Sequence, residues 1–288
     1  MQYVTLYNGV KMPQLGYGVY LIGKEECEKC VLDALETGYR HIDTAQGYNN
    51  EDEVGNAVVN SGISRGELFI TSKVWINNFG YERTKKSVET SLKKLKMDYI
   101  DLMLIHQPFA DYYGAWKALE EFYSQGVIRA IGVSNFYPDK LVDLCCFASV
   151  KPMVNQIEAH PYHQQGEARK WMDKYGVQIE AWAPFGQGRG QMFTNPVIAE
   201  IGKKHNKTVA QVILRWHMQS GIATIPKSTH IERMRENFDI FDFELTADDM
   251  AKIAGLDTKK GFSQPPHNTP EGVEKFYKLT LERQNEFK

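Results

Sequence analysis

Eight times along this 288-residue chain a short apolar run of strand character is followed by a stretch whose apolar residues recur at helical spacing, and that alternation limits the fold more than any other feature. The strand-like runs fall at 14–19, 39–43, 68–74, 99–106, 127–133, 153–157, 178–182 and 222–225. Between them lie helical faces such as Val88, Leu92 and Leu95, then Trp116, Leu119 and Tyr123, then Val209, Val212, Ile213 and Trp216. Alternation of this kind implies parallel strands joined by right-handed crossovers, which leaves an open doubly wound sheet or a closed (β/α)8 TIM barrel. No Pro-, Gly- or Ser-rich linker divides the chain, so eight consecutive units favour the α/β barrel as a single domain over residues 1–288.

The ends of the chain add to this frame. Residues 3–12 alternate around Asn8-Gly9, the dipeptide preferred in two-residue hairpin turns because both positions accept positive φ, so an N-terminal β-hairpin is expected as a plug across one end. The segment from Pro184 to Ala223 exceeds one crossover, and more than sixty residues follow the last strand, which predicts extra helices after strands seven and eight. Beyond Leu256 the chain is irregular through Pro265-Pro266-His267-Asn268, and Thr269-Pro270-Glu271 then supplies an N-cap, a first-turn proline and an acid to open a final helix.

Composition removes several function classes. Lys plus Arg number 34 against 36 for Asp plus Glu, a net charge of −2, so nothing global attracts nucleic acid or an anionic lipid surface. The longest apolar runs, such as Val209 to Leu214, fall far short of the roughly 20 residues of a membrane span. The N-terminus has no charged segment leading into an apolar core and cleavage site, so a cytoplasmic location is expected. Four cysteines do not make a disulfide scaffold; Cys27 and Cys30 form a C-x-x-C inside a helical pattern, and with no second pair at metal spacing no metal site is expected.

In a barrel of this type chemistry gathers where the strands end, because those loops converge on one face while the interior is packed. Here the ends carry Asp43, Lys73, His106, Ser134-Asn135, Gln156, Trp182 and Lys227. Solvated strand ends account for two or three polar residues, but not for an acid, an ammonium and an imidazole in consecutive units.

The segments Gly38-Tyr-Arg-His-Ile-Asp-Thr-Ala45 with Tyr48, Thr71-Ser-Lys-Val-Trp75, Leu104-Ile-His-Gln-Pro108, Gly132-Val-Ser-Asn-Phe136, Asn155-Gln-Ile-Glu158 and Ile225-Pro-Lys-Ser228 carry a resemblance in order and spacing. Over about residues 5 to 258 the chain resembles the aldo-keto reductases, most nearly the prokaryotic single-domain carbonyl reductases of the diketogluconate and glyoxal type. The resemblance implies a nicotinamide-dependent barrel enzyme with no separate dinucleotide domain, a catalytic tetrad of Asp43, Tyr48, Lys73 and His106, and a monomer. It implies Ser134, Asn135 and Gln156 against the nicotinamide carboxamide and Trp182 stacked on the ring, with Gly18, Pro184 and Phe185 also at the cofactor. It puts Lys227, Ser228, Arg233, Glu236 and Asn237 at the adenosine end, and a lysine, a hydroxyl and an arginine there suit a 2′-phosphate, so NADPH is expected. Tyr20, Trp75, His106 and Gln107 would line the substrate pocket, with the C-terminal loop and helix, 258–288, over it. Tyr20 and Gln107 stand where many relatives carry indoles, and Ala183 replaces a serine that often meets the pyrophosphate.

The chemistry of the four tetrad residues also stands by itself. Reducing a carbonyl by hydride transfer requires a proton for the developing alkoxide, and a phenol near pKa 10 is a poor donor unless its anion is stabilised. An ammonium about 4 Å away at an effective dielectric near 20 contributes on the order of 4 kcal/mol, or roughly three pKa units, so Lys73 is expected to bring Tyr48 close to working pH. Asp43 would keep Lys73 charged, and His106 would orient the carbonyl.

Other signals carry less. Residues 18–25 nearly spell a phosphate-binding loop, but Glu25 replaces the magnesium-binding hydroxyl; Gly16 and Gly18 lack the third glycine of a dinucleotide fingerprint. The segment from Gly186 to Gly190 is expected to fold over the cofactor. His160-Pro-Tyr-His163 suits a loop better than a metal, and the basic run Arg83 to Lys96 is the outer side of a helix. The expected activity is NADPH-dependent reduction of small aldehydes or ketones. The alternatives are a cofactor-sensing regulatory subunit on the same scaffold, like the potassium-channel beta subunits, or a lyase or isomerase of phosphorylated sugars.

Overall fold

The computed structural model describes residues 1–263 and 265–286. An antiparallel hairpin, β1 (Tyr3–Thr5) and β2 (Lys11–Pro13), opens the chain. There follow β3 (Tyr17–Gly18), α1 (Lys24–Thr37), β4 (His41–Asp43), α2 (Glu51–Asn60), β5 (Phe69–Val74), α3 (Tyr81–Leu95), β6 (Ile100–Ile105), α4 (Tyr112–Ser124), β7 (Ile128–Ser134), α5 (Pro138–Phe147), β8 (Val154–Glu158), α6 (Gly166–Tyr175) and β9 (Gln178–Trp182). The remainder is α7 (Pro196–His205), α8 (Val209–Gln219), β10 (Ala223–Thr224), α9 (Ile231–Phe238), α10 (Ala247–Ala254) and α11 (Pro270–Glu286). Strands β3 to β10 form one parallel sheet whose spatial order is the sequence order. Its edges meet: Leu15 bridges Thr224 in parallel, the Gly16 N–H donates to the Thr224 carbonyl at 2.9 Å, and the Thr224 N–H donates to Gln14 at 2.8 Å. The result is the (β/α)8 barrel, with α7 as the extra helix before the last strand and α9 to α11 after it.

Two expectations shift at the seam and at the plug. The runs 14–19 and 222–225 shrink to the two-residue strands β3 and β10, because the next partner across the seam is Pro226, which accepts from the Gly18 N–H at 3.1 Å but has no N–H to return. The hairpin turn is not the two-residue form. Gly9 (φ 87°) is left-handed while Asn8 is not, the Gly9 N–H donates to Leu6, and the Leu6 N–H donates to Val10: a three-residue loop with its glycine at the bulge. Asn8 Nδ2 donates to the Arg129 carbonyl, 3.0 Å away at the start of β7, so the hairpin covers the N-terminal rim, opposite the strand ends that carry the polar residues.

Both faces of the central strands are covered, and β4, β5, β6 and β8 contain no exposed residue. The helices attach by their apolar stripes; in α3, Val88 and Leu95 are buried, Leu92 is half-buried, and the lysines point away. At the end of α1 the chain turns through Gly38 (φ 118°), where a Cβ would lie 2.8 Å from the Phe238 ring of α9. Cys27 and Cys30 are buried in α1 as free thiols, and burial pushes Cys27 up to about 12, the opposite of a redox-active pair. The barrel interior is not hydrocarbon throughout: His41, Asp43, Thr71, Lys73, Gln156 and Glu180 meet inside it.

Candidate active site

Asp43 ends β4, Lys73 lies near the end of β5, and Tyr48 sits on the short helical turn that follows β4. Lys73 is fully buried. Its Nζ donates to Asp43 Oδ1 at 2.6 Å, to the Thr44 carbonyl at 2.9 Å and to the Tyr48 hydroxyl at 3.3 Å. Three acceptors around one nitrogen are the complement of an ammonium with three protons. Burial would lower the Lys73 ammonium, but Asp43 and Tyr48 together raise it, so the charge is retained. Because Lys73 donates to the Tyr48 oxygen, the phenolic hydrogen is left to point elsewhere.

The acidified phenol expected above is not what the structure holds. Burial pushes the Tyr48 hydroxyl up to about 12; Lys73 pulls it down, and Asp43 pushes it back up. The reasoning from a lone ammonium omitted both the loss of solvent and the carboxylate 2.6 Å from that ammonium, whose field offsets it. Tyr48 is therefore fully protonated at neutral pH.

Aromatic rings surround this hydroxyl. Tyr20 packs on Tyr48 with ring centroids 4.9 Å apart, His106 meets Tyr48 edge-on at 5.7 Å, and Trp75 meets His106 edge-on at 5.0 Å. Gln107 is buried, with its Oε1 lacking a partner among the described residues. The C-terminal loop and helix expected over the pocket complete the wall, together with Phe109. Phe276 of α11 lies 6.3 Å from Trp75 and 5.6 Å from Phe109, and His267 packs between Phe276 (4.8 Å) and Trp182 (6.1 Å). These residues come from irregular loops and the last helix, where no periodicity announces a position.

Beside the tetrad, Ser134, Asn135, Gln156 and Trp182 share one hydrogen-bonded patch. Asn135 (φ 63°) donates to the His106 carbonyl at 3.1 Å and accepts from Trp182 Nε1 at 2.9 Å, while Ser134 Oγ donates to the Gln156 carbonyl at 2.9 Å. Gln156 Nε2 donates to Asp43 Oδ2 at 2.8 Å and to Glu180 Oε2 at 2.9 Å. Glu180 is not among the expected site residues, although an acid two residues before Trp182, between Ile179 and Ala181, is a legible signal of an inward-facing charge. Asn135, Trp182, His163, His267, Ser263 and Glu158 line a cleft at this end of the barrel.

The remaining predicted residues divide. Gly18 is paired with Asp43 across the sheet and gives its N–H to Pro226 at the seam. Pro184 is buried, and Phe185 packs on Phe193 with centroids 5.4 Å apart. Gly186–Gly188 forms a single 3-10 turn, kinked at Gln187 (φ 55°), and Arg189 ties it down by donating to the Phe262 carbonyl at 2.7 Å. Lys227 and Arg233 are exposed and have no ion-pair partner among the described residues. They flank the start of α9, whose first turn has no side-chain cap. Ser228 Oγ accepts from the His230 N–H in the same turn, and Asn237 is buried. Glu236 accepts from Thr208 at 2.7 Å, which turns one of its oxygens toward α8. Two unpaired cations beside free helix N–H groups form a donor set that suits a phosphate dianion, and a clamped amide, a hydroxyl and an indole suit a carboxamide-bearing ring.

Comparison with known proteins agrees with this geometry. The model of the aldo/keto reductase family matches residues 14–258. The chain is 51% identical over 255 residues to a glyoxal reductase of Bacillus subtilis, covering 88% of this chain and 92% of that protein. It is 43% identical over 266 residues to the methylglyoxal reductase DkgA of Escherichia coli, covering 91% and 96%. A Bombyx mori aldo-keto reductase crystallised in complex with NADP superposes with a TM-score of 0.86 at 31% identity, covering 92% of this chain and 95% of that one.

Proposed function

The chain belongs to the aldo/keto reductase family, and from that premise we propose that it reduces small aldehydes and ketones to alcohols with NADPH, Tyr48 giving the proton. One observation carries this reading: Lys73 spends its three hydrogens on Asp43, Thr44 and Tyr48, which leaves the Tyr48 hydrogen aimed at whatever enters the pocket. Bound across Trp182 and the Ser134–Asn135–Gln156 patch, reduced nicotinamide supplies the hydride for the carbonyl carbon.

Everything else is the work of the chain itself. As negative charge builds on the carbonyl oxygen, the Tyr48 proton moves to it, and the phenolate left behind already accepts a hydrogen bond from an ammonium. With Tyr48 at about 12, the stabilisation belongs to the transition state rather than to a preformed phenolate. His106, edge-on to Tyr48 and Trp75, orients the carbonyl. Trp75, Tyr20, Gln107 and the loop and helix beyond residue 258 enclose the substrate and exclude water. Lys227, Ser228 and Arg233 take the 2′-phosphate, which selects NADPH over NADH. The names of the relatives, glyoxal and methylglyoxal reductase, point to small dicarbonyls as the first substrates to try.

Replacing Tyr48 by Phe tests the assignment. Turnover of a reactive aldehyde with NADPH is expected to fall about 10²- to 10⁴-fold while NADPH binding, followed by fluorescence titration, stays within about threefold. A Y48F enzyme that keeps wild-type turnover would take the proton donor away from Tyr48.

A further inference from the structure

The barrel interior contains one carboxyl group for which the reduction described above has no use. Glu180 sits at the centre of β9, fully buried, on the same strand face as Trp182. Its Oε2 accepts one hydrogen of the Gln156 amide at 2.9 Å, and the second hydrogen of that amide goes to Asp43 Oδ2 at 2.8 Å. Its Oε1 has no hydrogen-bond partner among the described residues and lies 3.6 Å from His41 Nε2. Both Gln156 donors are thus engaged by carboxyl groups, and only the amide oxygen remains for a ligand.

We propose that Glu180 is a positioning residue for the reduction: with Asp43 it clamps the Gln156 amide so that its oxygen alone faces the nicotinamide carboxamide, and by holding a proton it keeps the charge behind Tyr48 balanced. The inference rests on the reductase reading above. The charged and titratable groups facing Glu180 are Asp43 and His41 from β4 and Lys73 from β5; its neighbours on β8 and β10, Gln156 and Ala223, do not titrate. Burial lowers His41 to about 3, so that ring is neutral and offers Glu180 no counter-charge. Lys73 is committed to its three acceptors. Burial, then the Asp43 carboxylate, push the Glu180 carboxyl up to about 8.

With the proton on Glu180 the interior holds one anion and one cation. Once the proton leaves, a second negative charge faces Asp43 across Gln156 and raises the affinity of Tyr48 for its own proton, the wrong direction for a donor. Reduction therefore falls as pH rises through about 8, well before Tyr48, at about 12, ionises. The same group leaves a mark on stability. A carboxyl whose folded pKa is raised contributes fully below the ordinary glutamate range, and that contribution is lost as pH climbs toward the folded value.

The experiment compares wild type with E180Q, which keeps the acceptor for Gln156 but cannot ionise, and with E180A, which frees one Gln156 hydrogen. The pH profile of kcat/KM for a reactive dicarbonyl is expected to show an alkaline limb near pH 8 in wild type, displaced upward by more than one pH unit in E180Q. In urea unfolding, wild type is expected to lose stability relative to E180Q between about pH 4.5 and 8 and to hold a constant difference above that range. E180A is expected to raise the KM for NADPH at least threefold, with a smaller effect of E180Q. An alkaline limb that stays in place in E180Q, or a stability difference that is flat with pH, overturns the proposal. If neither variant folds, carbon-13 NMR of glutamate-labelled wild type decides: one carboxyl carbon titrating near pH 8 supports it, and none above pH 6 overturns it. A wild type that leaves NADPH unoxidised with every carbonyl supplied sinks the reductase reading instead, and leaves the unfolding and NMR results to judge Glu180 alone.

Discussion

The two ends of the site are built on opposite principles. Around Lys73 every hydrogen of a buried cation has an acceptor before any ligand arrives, and the carboxylate beside it is held on its other oxygen by Gln156. Around α9, Lys227 and Arg233 stand exposed with no ion-pair partner among the described residues. The first arrangement is part of the core, so it is organised by folding and its loss is felt by the fold. The second is exposed, and under the proposed function its charge is available to a ligand. A centre that must steer a proton needs fixed distances, whereas one that must catch a dianion needs unspent charge.

Removing the cation from the buried end breaks the contrast most severely. Lys73→Met leaves the Asp43 carboxylate in the interior with Gln156 as its remaining side-chain donor, and deleting one partner of a buried pair costs about 3–5 kcal/mol. Urea unfolding is expected to show a loss of that size, together with turnover at the level of Y48F. A K73M protein as stable as wild type would mean that the interior hydrates freely and that the pair is not a structural unit.

That same division explains what could be read before the fold was known. The eight units and the residues at their ends were legible because strand period, helix period and strand-end chemistry are local properties of the chain. Asp43, Lys73 and Tyr48 therefore came together as expected. Their electrostatics did not, because burial and the offsetting carboxylate are properties of the packed interior, and Tyr48 went up instead of down. Gly18 sits where its spacing put it, yet its N–H serves the seam. That the segment 258–288 covers the pocket followed from the resemblance, but which of its side chains form the wall with Phe109 did not, since the loop that carries His267 has no period. Glu180 does have one, an acid in register with Trp182 on β9, but a charge inside a barrel has no meaning until its partners are placed.

At the exposed end the effects are smaller and confined to the ligand. The double variant K227A/R233A is expected to weaken NADPH binding on the order of tenfold to a hundredfold, from the loss of charge-assisted contacts to one phosphate, and to leave NADH binding nearly unchanged. Its unfolding free energy is expected to stay within about 0.5 kcal/mol of wild type, because neither cation is buried or paired. Equal losses for the two cofactors would remove the 2′-phosphate from this end; a large loss of stability would erase the distinction between the two ends.

Salt separates them without any substitution. The Debye length falls from about 10 Å at 0.1 M to about 3 Å at 1 M, and an exposed pair contributes roughly 0.2–1 kcal/mol, so NADPH binding is expected to weaken by a few-fold over that range. Lys73 is fully buried against its partners, and solvent ions cannot enter between them. The pH at which turnover falls is therefore expected to move by no more than about 0.2 over the same range of salt, because the interior field that governs the Tyr48 proton is not screened. A limb that shifts with salt as strongly as the cofactor affinity does would show that ions reach the reaction centre, and the buried end would then be only a deeper version of the exposed one.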